Sequence, residues 1–181
     1  YIMRIPGEGT EMMIDRKQEY KVYQAIKKLG ICDTVRFIDP ETGYKLTEFI
    51  ENARCCDAGN EQEVRACMQV LRRFHQSGVQ VGHAFDIFER MEYYESLWKG
   101  EPSCYRDYEK TKAKVYELKE YLDQQPKHLG LCHIDSVSDN FLMTENQIRL
   151  IDWEYAGMQD TDVDIAMFAV YAMYDKNQVD Q

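Results

Sequence analysis

Three side chains with oxygen atoms suited to metal and proton chemistry follow one another in one stretch of the chain. Asp135 and Asn140 stand in the pattern His133-x-Asp135-x4-Asn140, and Asp152 ends the short apolar run that follows. Phosphoryl transfer needs a carboxylate beside the attacking hydroxyl, oxygen ligands for Mg²⁺ and positive charge on the nucleotide phosphates. The pattern therefore predicts Asp135 as the catalytic carboxylate, and Asn140 and Asp152 as metal ligands. We expect His133 to fix this catalytic loop through hydrogen bonds.

Two short strands would hold these residues in place. Residues 141–143 and 148–151 are strand-like, and the polar residues 144–147 form a turn between them. His, Asp and Asn are common in loops, so the first pattern alone also arises by chance. The apolar strand that ends in Asp152 favours a site at the end of a β-hairpin, where the three side chains would converge.

Longer segments extend this motif along the chain. They read LCHIDSVSDNFL, IRLIDWEYAGMQD and DVDIAMFAVY after residue 130, and YIMRIPGEGTEMMIDRKQEY and DPETGYKLTEFIE nearer the start. In their order along the chain, these segments resemble the choline/ethanolamine kinase family of the aminoglycoside phosphotransferase superfamily. They are most similar to bacterial choline kinases. The resemblance implies an α+β, protein-kinase-like two-lobe fold with a truncated N-lobe sheet at residues 1–51. A mainly helical C-lobe, also truncated, would follow at residues 52–181.

The same resemblance implies the reaction, which is the ATP-dependent, Mg²⁺-assisted phosphorylation of the choline hydroxyl. Arg4 lies in a predicted strand over residues 1–5, where such kinases place the basic residue that touches the α- and β-phosphates of ATP. Glu19, in the helix that follows, would be the ion-pair partner of Arg4. Arg16 and Glu11 are competitors for these contacts.

Periodicity and turn residues predict the remaining N-terminal elements. A helix should span residues 15–29, and a hairpin should join strands at 34–38 and 44–50. The second strand would lead into an interlobe hinge. The resemblance implies that hinge backbone groups bind the adenine ring, which makes Phe49 and Ile50 candidate nucleotide-binding positions.

From Asn60 onward the apolar spacing is helical. It predicts one helix that ends near residue 78, a second over residues 85–98 and a third over residues 105–122. A further helix would begin at Thr161 or Asp162 and reach Tyr174. Asp164 lies in its first turn, where a carboxylate suits the helix dipole, and the resemblance implies that Asp164 supports the catalytic loop.

A quaternary ammonium group is held by aromatic faces and nearby carboxylates, because it has no hydrogen to donate. Trp153, Glu154 and Tyr155 come directly after Asp152 and are predicted walls of such a pocket. Glu154 is the strongest candidate for cation contact or metal support. Core packing is the alternative role for each aromatic side chain.

Composition narrows the class of partner. The formal net charge is −10, and the basic residues form no stripe, which argues against a nucleic-acid partner. An acidic field favours a small cationic substrate, although acidity also simply keeps proteins soluble. Six cysteines without metal or disulfide spacing, together with no long apolar run, favour a cytoplasmic protein that does not enter the membrane.

Several alternatives stay open at this point. Ethanolamine kinase and aminoglycoside phosphotransferase activities fit the same motifs, and a catalytically silent nucleotide- or choline-binding module is a rival of another class. Because the chain begins with Tyr1 rather than methionine, we expect it to be a piece of a longer protein. The oligomeric state has no signature in the sequence.

Overall fold

The computed structural model describes residues 1–98, 100 and 102–180. Its N-terminal part pairs an antiparallel three-stranded sheet, in the order β1-β3-β2, with one helix. These elements are β1 (Ile2–Arg4), α1 (Arg16–Ile26), β2 (Val35–Ile38) and β3 (Lys45–Thr47). Arg4 lies directly opposite Lys45 across the β1–β3 pair. Directly opposed residues project from the same face of a sheet, so two cationic side chains meet there.

Helix α1 begins where the sequence predicts. The Asp15 carboxylate accepts hydrogen bonds from two backbone amides of the first turn, which satisfies donors that have no partner within the helix. Regular α-helix ends at Ile26, three residues before the predicted end. The amide of Leu29 then bonds to the carbonyl of Ile26 in a tighter turn, and Gly30 reverses the chain at a φ of +68°.

The predicted hairpin between β2 and β3 is present, with shorter strands than expected. Its turn closes through the amide of Asp39 and the carbonyl of Tyr44, which are 2.9 Å apart. Gly43 adopts a φ of +74°, and a Cβ atom at this position would lie 2.8 Å from Nε of Arg16. Only glycine therefore permits both the turn and the close approach of the Arg16 side chain.

The C-terminal part is mainly helical, as predicted. Its helices are α2 (Glu61–His75), α3 (Ile87–Ser96), α4 (Tyr108–Asp123), α5 (Asp162–Tyr171) and the short α6 (Lys176–Val179). Asn60 and Asp86 cap α2 and α3 through their side chains. Over the described residues, none of the helices has the length and apolar character needed to cross a membrane. The division of the chain at residue 51 stays a prediction, and Gln181 lies outside the described residues.

Two small sheets complete the C-terminal part. They are built from β4 (Arg54–Cys55), β5 (Leu129–Cys132), β6 (Phe141–Met143), β7 (Ile148–Leu150) and β8 (Gly157–Asp160). One sheet has the order β4-β6-β7 and the other pairs β5 with β8. Strands β6 and β7 form the hairpin expected from the sequence, with Phe141 opposite Leu150.

Buried aromatic side chains anchor this hairpin to the helices. Phe141 and Leu150 are fully buried, as is Trp153 just beyond β7. The Phe74 ring of α2 meets the Trp153 ring edge-on at 4.9 Å, and the Phe168 ring of α5 meets that of Phe141 at 5.9 Å. Each fully buried side chain of this size contributes about 1.5–3 kcal/mol. The hairpin is therefore a rigid support for the loops at its ends.

Candidate active site

The loop after β5 brings together two of the predicted site residues. The Asn140 side-chain amide donates hydrogen bonds to the Asp135 carbonyl at 2.8 Å and to Asp135 Oδ2 at 3.0 Å. Both bonds use the amide nitrogen, so the amide oxygen of Asn140 stays available to another partner. Asp135 keeps its second carboxylate oxygen, Oδ1, outside this contact. Both side chains are partly exposed at the end of the hairpin.

Asp152 is brought next to Asn140 by the backbone. The amide of Ile151 donates to the carbonyl of Asn140 at 2.9 Å, so the residue that follows lies beside the loop. Asp152 itself has a φ of +66°, in the left-handed region that non-glycine residues seldom adopt. Carboxylate and amide oxygens form a hard, all-oxygen donor set, which fits Mg²⁺.

His133 ties the catalytic loop to the strand that leads to Asp152. Its ring is fully buried against that of Trp153, at 4.6 Å between centroids, and Nε2 lies 2.8 Å from the carbonyl of Ile151. A carbonyl only accepts, so Nε2 carries the hydrogen and donates. Burial lowers the pKa of His133 despite nearby carboxylates, which keeps the ring neutral. These contacts suit the loop-fixing role expected for this residue.

Asp164 holds the same loop from the side of α5. One carboxylate oxygen accepts from the amide of His133 at 2.9 Å and the other from the amide of Ile134 at 2.8 Å. Nε2 of His75 lies 2.8 Å from the first oxygen, and the Ser136 hydroxyl donates to the Asp164 carbonyl. Ile134 has a φ of +73°. Asp164 therefore supports a strained turn directly before Asp135.

Arg4 and Glu19 form the ion pair predicted from the sequence. The two terminal nitrogens of Arg4 contact the two Glu19 oxygens at 2.6 and 2.7 Å, in a bidentate arrangement. Burial alone would raise the pKa of Glu19, but the Arg4 hydrogen bond and the charges of Lys45 and Arg4 lower it overall. Burial likewise works against the charged form of Arg4, and the contacts with Glu19 raise its pKa. The Nε of Arg4 is buried without a partner among the described residues.

Two further cations adjoin Glu19. Arg16, a competitor for the Glu19 contact in the sequence, joins the pair: its Nη1 lies 3.1 Å from Glu19 Oε2. Lys45 was missed. Its Nζ lies 3.6 Å from Glu19 Oε1 and donates to the Tyr23 hydroxyl at 2.8 Å. The strand alternation that buries Lys45 and Thr47 together was the available signal.

The three predicted pocket walls have different surroundings. The prediction for Trp153 is wrong, because its side chain is fully buried in the core and its indole donates to the carbonyl of Leu150. Glu154 uses one carboxylate oxygen in ion pairs: its Oε2 accepts from Arg16 at 2.9 Å and from Arg4 at 3.4 Å.

Tyr155 is the wall residue that lies nearest to the expected role. It is partly exposed, and its ring meets the Phe85 ring edge-on at 6.1 Å. Burial raises the pKa of the Tyr155 hydroxyl, and the charges of Asp135 and Asp152 are among those that raise it further. The aromatic ring therefore sits within the electrostatic field of both site carboxylates.

The predicted hinge residues follow β3 and line a cleft of about 480 Å³ with the turn of the β6–β7 hairpin. Phe49 is 61% exposed, and Ile50 is partly buried. Their role in binding adenine stays a prediction, because it depends on backbone groups and a ligand.

Comparison with known proteins identifies the family of the chain. The family model described as choline/ethanolamine kinase matches residues 1–180. The LicA protein of Haemophilus influenzae is 27% identical over 99% of this chain and 69% of its own length. Ethanolamine kinase 2 of Rattus norvegicus is 26% identical over 91% of this chain and 45% of its own length.

Solved structures share the fold. The crystal structure of the choline kinase LicA from Streptococcus pneumoniae superimposes with a TM-score of 0.87 at 29% identity, over 98% of this chain and 64% of that one. A crystal structure of LicA in complex with AMP gives a TM-score of 0.89 at 29% identity, over 98% and 62%. The α+β, kinase-like fold predicted from the sequence is confirmed. The chain spans less than two thirds of the length of these structures.

Proposed function

We propose that this chain, which belongs to the choline/ethanolamine kinase family, carries the catalytic centre of a kinase that transfers the γ-phosphoryl group of ATP to the hydroxyl of choline. The observation that supports this most is that Asn140 bonds to Asp135 through its side chain and, through its backbone carbonyl, to the amide of Ile151, the residue before Asp152. The Arg4–Glu19 ion pair would supply a cation to the phosphates, as the kinase assignment requires. Because the relatives are longer, the activity is that of the full-length protein.

Asp135 would orient the choline hydroxyl and accept its proton as the phosphoryl group is transferred. It is suited to this role because Asn140 holds only one of its carboxylate oxygens. A positioned general base of this kind contributes roughly 10²–10⁴-fold to the rate. Arg4, held by Glu19 and with Nε unpaired, would place positive charge on the phosphates of ATP.

Asn140 and Asp152 would hold Mg²⁺ through their free oxygens. When bound, Mg²⁺ supplies charge neutralisation for the transferred phosphoryl group. The adenine ring would lie against the hinge backbone near Phe49 and Ile50. A LicA structure that contains AMP supports a nucleotide as partner.

Choline is the favoured acceptor because LicA from Streptococcus pneumoniae is described as a choline kinase and is 29% identical to this chain. Tyr155 would supply an aromatic face to the trimethylammonium group. Ethanolamine is the second candidate, because a relative of similar identity is an ethanolamine kinase. We place the reaction in the cytoplasm, where the six free thiols would stay reduced.

A coupled assay of ADP release by the full-length protein tests the proposal, with choline, ethanolamine and an aminoglycoside as acceptors. We expect choline to give the highest kcat/KM, and Asp135→Ala to lose at least about a hundredfold in kcat while its circular dichroism spectrum is unchanged. Higher kcat/KM for ethanolamine would transfer the assignment to the second candidate. ATP binding without ADP release for any acceptor would instead indicate a silent binding module.

A further inference from the structure

Asp152 is held in a backbone conformation that has to be enforced by its surroundings. Its φ of +66° places a residue with a β-carbon in the left-handed region. Such conformations persist when contacts on both sides over-determine them, and they concentrate at functional sites. One contact lies directly after Asp152, where the buried Trp153 indole donates to the carbonyl of Leu150 at 2.7 Å.

The second contact is made by Glu154, on the other side of Trp153. Its Oε2 accepts from Nη1 of Arg16 at 2.9 Å and from Nη1 of Arg4 at 3.4 Å. The side chains of Arg16 and Glu154 are only 11% and 19% exposed, so solvent screens this pair less than it screens a surface pair. The loop of residues 152–154 is thus held at Trp153 by the indole hydrogen bond and at Glu154 by two guanidinium groups.

Arg16 is itself held in place. Its Nη1 also contacts Glu19 Oε2 at 3.1 Å. Its aliphatic end packs over Gly43, where a Cβ atom would lie 2.9 Å from Cδ of Arg16. Arg16 is the first residue of α1, so it joins the helix that carries Glu19 to the loop that carries Asp152.

We propose that Arg16 and Glu154 are positioning residues that hold the Asp152 carboxylate in the orientation required to bind the divalent cation. This inference rests on the proposed function and deepens it. It gives Glu154 a role different from the cation contact expected from the sequence, because its Oε2 accepts hydrogen bonds from both Arg16 and Arg4. It also connects α1 to the loop that carries Asp152 through a charge network that includes the Arg4–Glu19 pair.

A purely structural ion pair would affect stability without affecting the metal site, so metal binding is the decisive readout. The full-length protein is saturated with the non-hydrolysable analogue AMP-PNP, and Mn²⁺ binding is measured by electron paramagnetic resonance. The variants are Arg16→Gln, Glu154→Gln and the double variant. Loss of an interaction that orients a metal ligand weakens metal binding by about 10–100-fold, and we expect each single variant to fall within that range.

The double variant tests whether the two residues act as one link. Two residues in direct contact give non-additive effects. We therefore expect the double variant to bind Mn²⁺ about as weakly as either single variant. Hydrogen exchange of the amides of residues 152–156 should accelerate in all three.

Arg65→Gln is the matched control, because it removes a guanidinium from the exposed Arg65–Glu61 pair on α2, far from α1 in the chain. We expect its Mn²⁺ affinity to equal that of the wild-type protein. Arg16→Lys, which keeps the charge but not the planar fork, should fall between wild type and Arg16→Gln and guards against a folding defect. If wild type binds Mn²⁺ and forms phosphocholine, and folded Arg16→Gln and Glu154→Gln bind Mn²⁺ equally well, the positioning role is wrong while the proposed function stands. If the wild-type protein neither binds Mn²⁺ nor forms phosphocholine, the positioning role and the proposed function are both wrong.

Discussion

Glu19 is the residue on which the charge balance of the site depends. Its carboxylate is buried, and it is contacted by Arg4, Arg16 and Lys45. A buried carboxylate without partners is strongly destabilising, whereas one shared among several cations neutralises them as it is itself stabilised. Glu19 therefore permits three cations to be held next to the space where phosphates are expected.

This arrangement makes the contribution of Glu19 to stability depend on pH. The pKa of Glu19 in the folded protein lies below its ordinary value of 4.5. Its stabilising contribution is therefore complete above about pH 4.5 and is lost as the pH falls through the lower, folded-state pKa. Glu19→Gln should cost roughly 3 kcal/mol in the free energy of unfolding at pH 7, as measured by urea denaturation.

The same titration provides the control for that prediction. As the pH falls below about 4.5, the difference in unfolding free energy between wild type and Glu19→Gln should shrink, since the unfolded wild-type chain binds a proton at Glu19 before the folded state does. A difference that stays constant over this range would mean that the Glu19 charge is not what the three cations stabilise.

Residue identity and spacing predicted Asp135, Asn140 and Asp152, because their chemistry is bound to a local motif. The burial and contacts of the residues that follow Asp152 were harder to predict. Strand alternation fails after Asp152, whose left-handed backbone redirects Trp153 into the core. Glu154 then meets Arg16, which lies 138 residues away in sequence. No local pattern carries a contact of that range.

Among the elements, α5 and the loop after β5 form one unit. Asp164 lies in the first turn of α5 and accepts hydrogen bonds from the backbone amides of His133 and Ile134. Helix α5 has no side-chain cap at Thr161, and its first turn supports the catalytic loop through Asp164. The position of Asp135 follows from that of α5.

Replacing Asp164 by Asn should uncouple this unit. The amide nitrogen cannot accept a hydrogen bond, so one of the two loop amides loses its buried partner. We expect roughly 3 kcal/mol of destabilisation by urea denaturation, and weaker phosphoryl transfer from the protein that remains folded. Asp162→Asn is the matched control, since Asp162 is an exposed carboxylate in the same helical turn. Equal effects of the two substitutions would contradict the supporting role of Asp164.

The ends of the helices and strands could be predicted where a capping side chain or a glycine marks them. Asp15, Asn60 and Asp86 cap helices through local side-chain bonds. The end of α1 and the short β3 were not predicted, because they depend on tertiary contacts. The backbone of Ile31, just past α1, accepts the amide of Leu150 from β7, which turns the chain earlier than its own pattern indicates.

At the scale of the whole chain, the formal net charge of −10 is the feature that bears on the proposed cationic acceptor. Asp135 and Asp152 both act on Tyr155 through their charge, so the acidic field extends to the proposed choline pocket. Such fields raise the local concentration of an oppositely charged substrate, and salt screens them. The Debye length falls to about 10 Å at 0.1 M salt.

The KM of the full-length protein for choline should therefore rise with ionic strength. Between 20 and 300 mM NaCl we expect an increase of about threefold at saturating Mg²⁺-ATP. The uncharged isostere 3,3-dimethylbutan-1-ol is the control, and its KM should change little. Parallel changes for both acceptors would show that salt acts on ATP binding or on the fold rather than on the cation.

The central claim is that Asn140 and Asp152 together present oxygen ligands beside Asp135. Anomalous scattering from crystals of the full-length protein with Mn²⁺ and AMP-PNP tests this claim most directly. The account predicts a Mn²⁺ peak in contact with the Asn140 amide oxygen and the Asp152 carboxylate, at about 2.0–2.3 Å. A peak bound by other residues, such as the cluster of His128, Asp160 and Asp162, with none between Asn140 and Asp152, would contradict it.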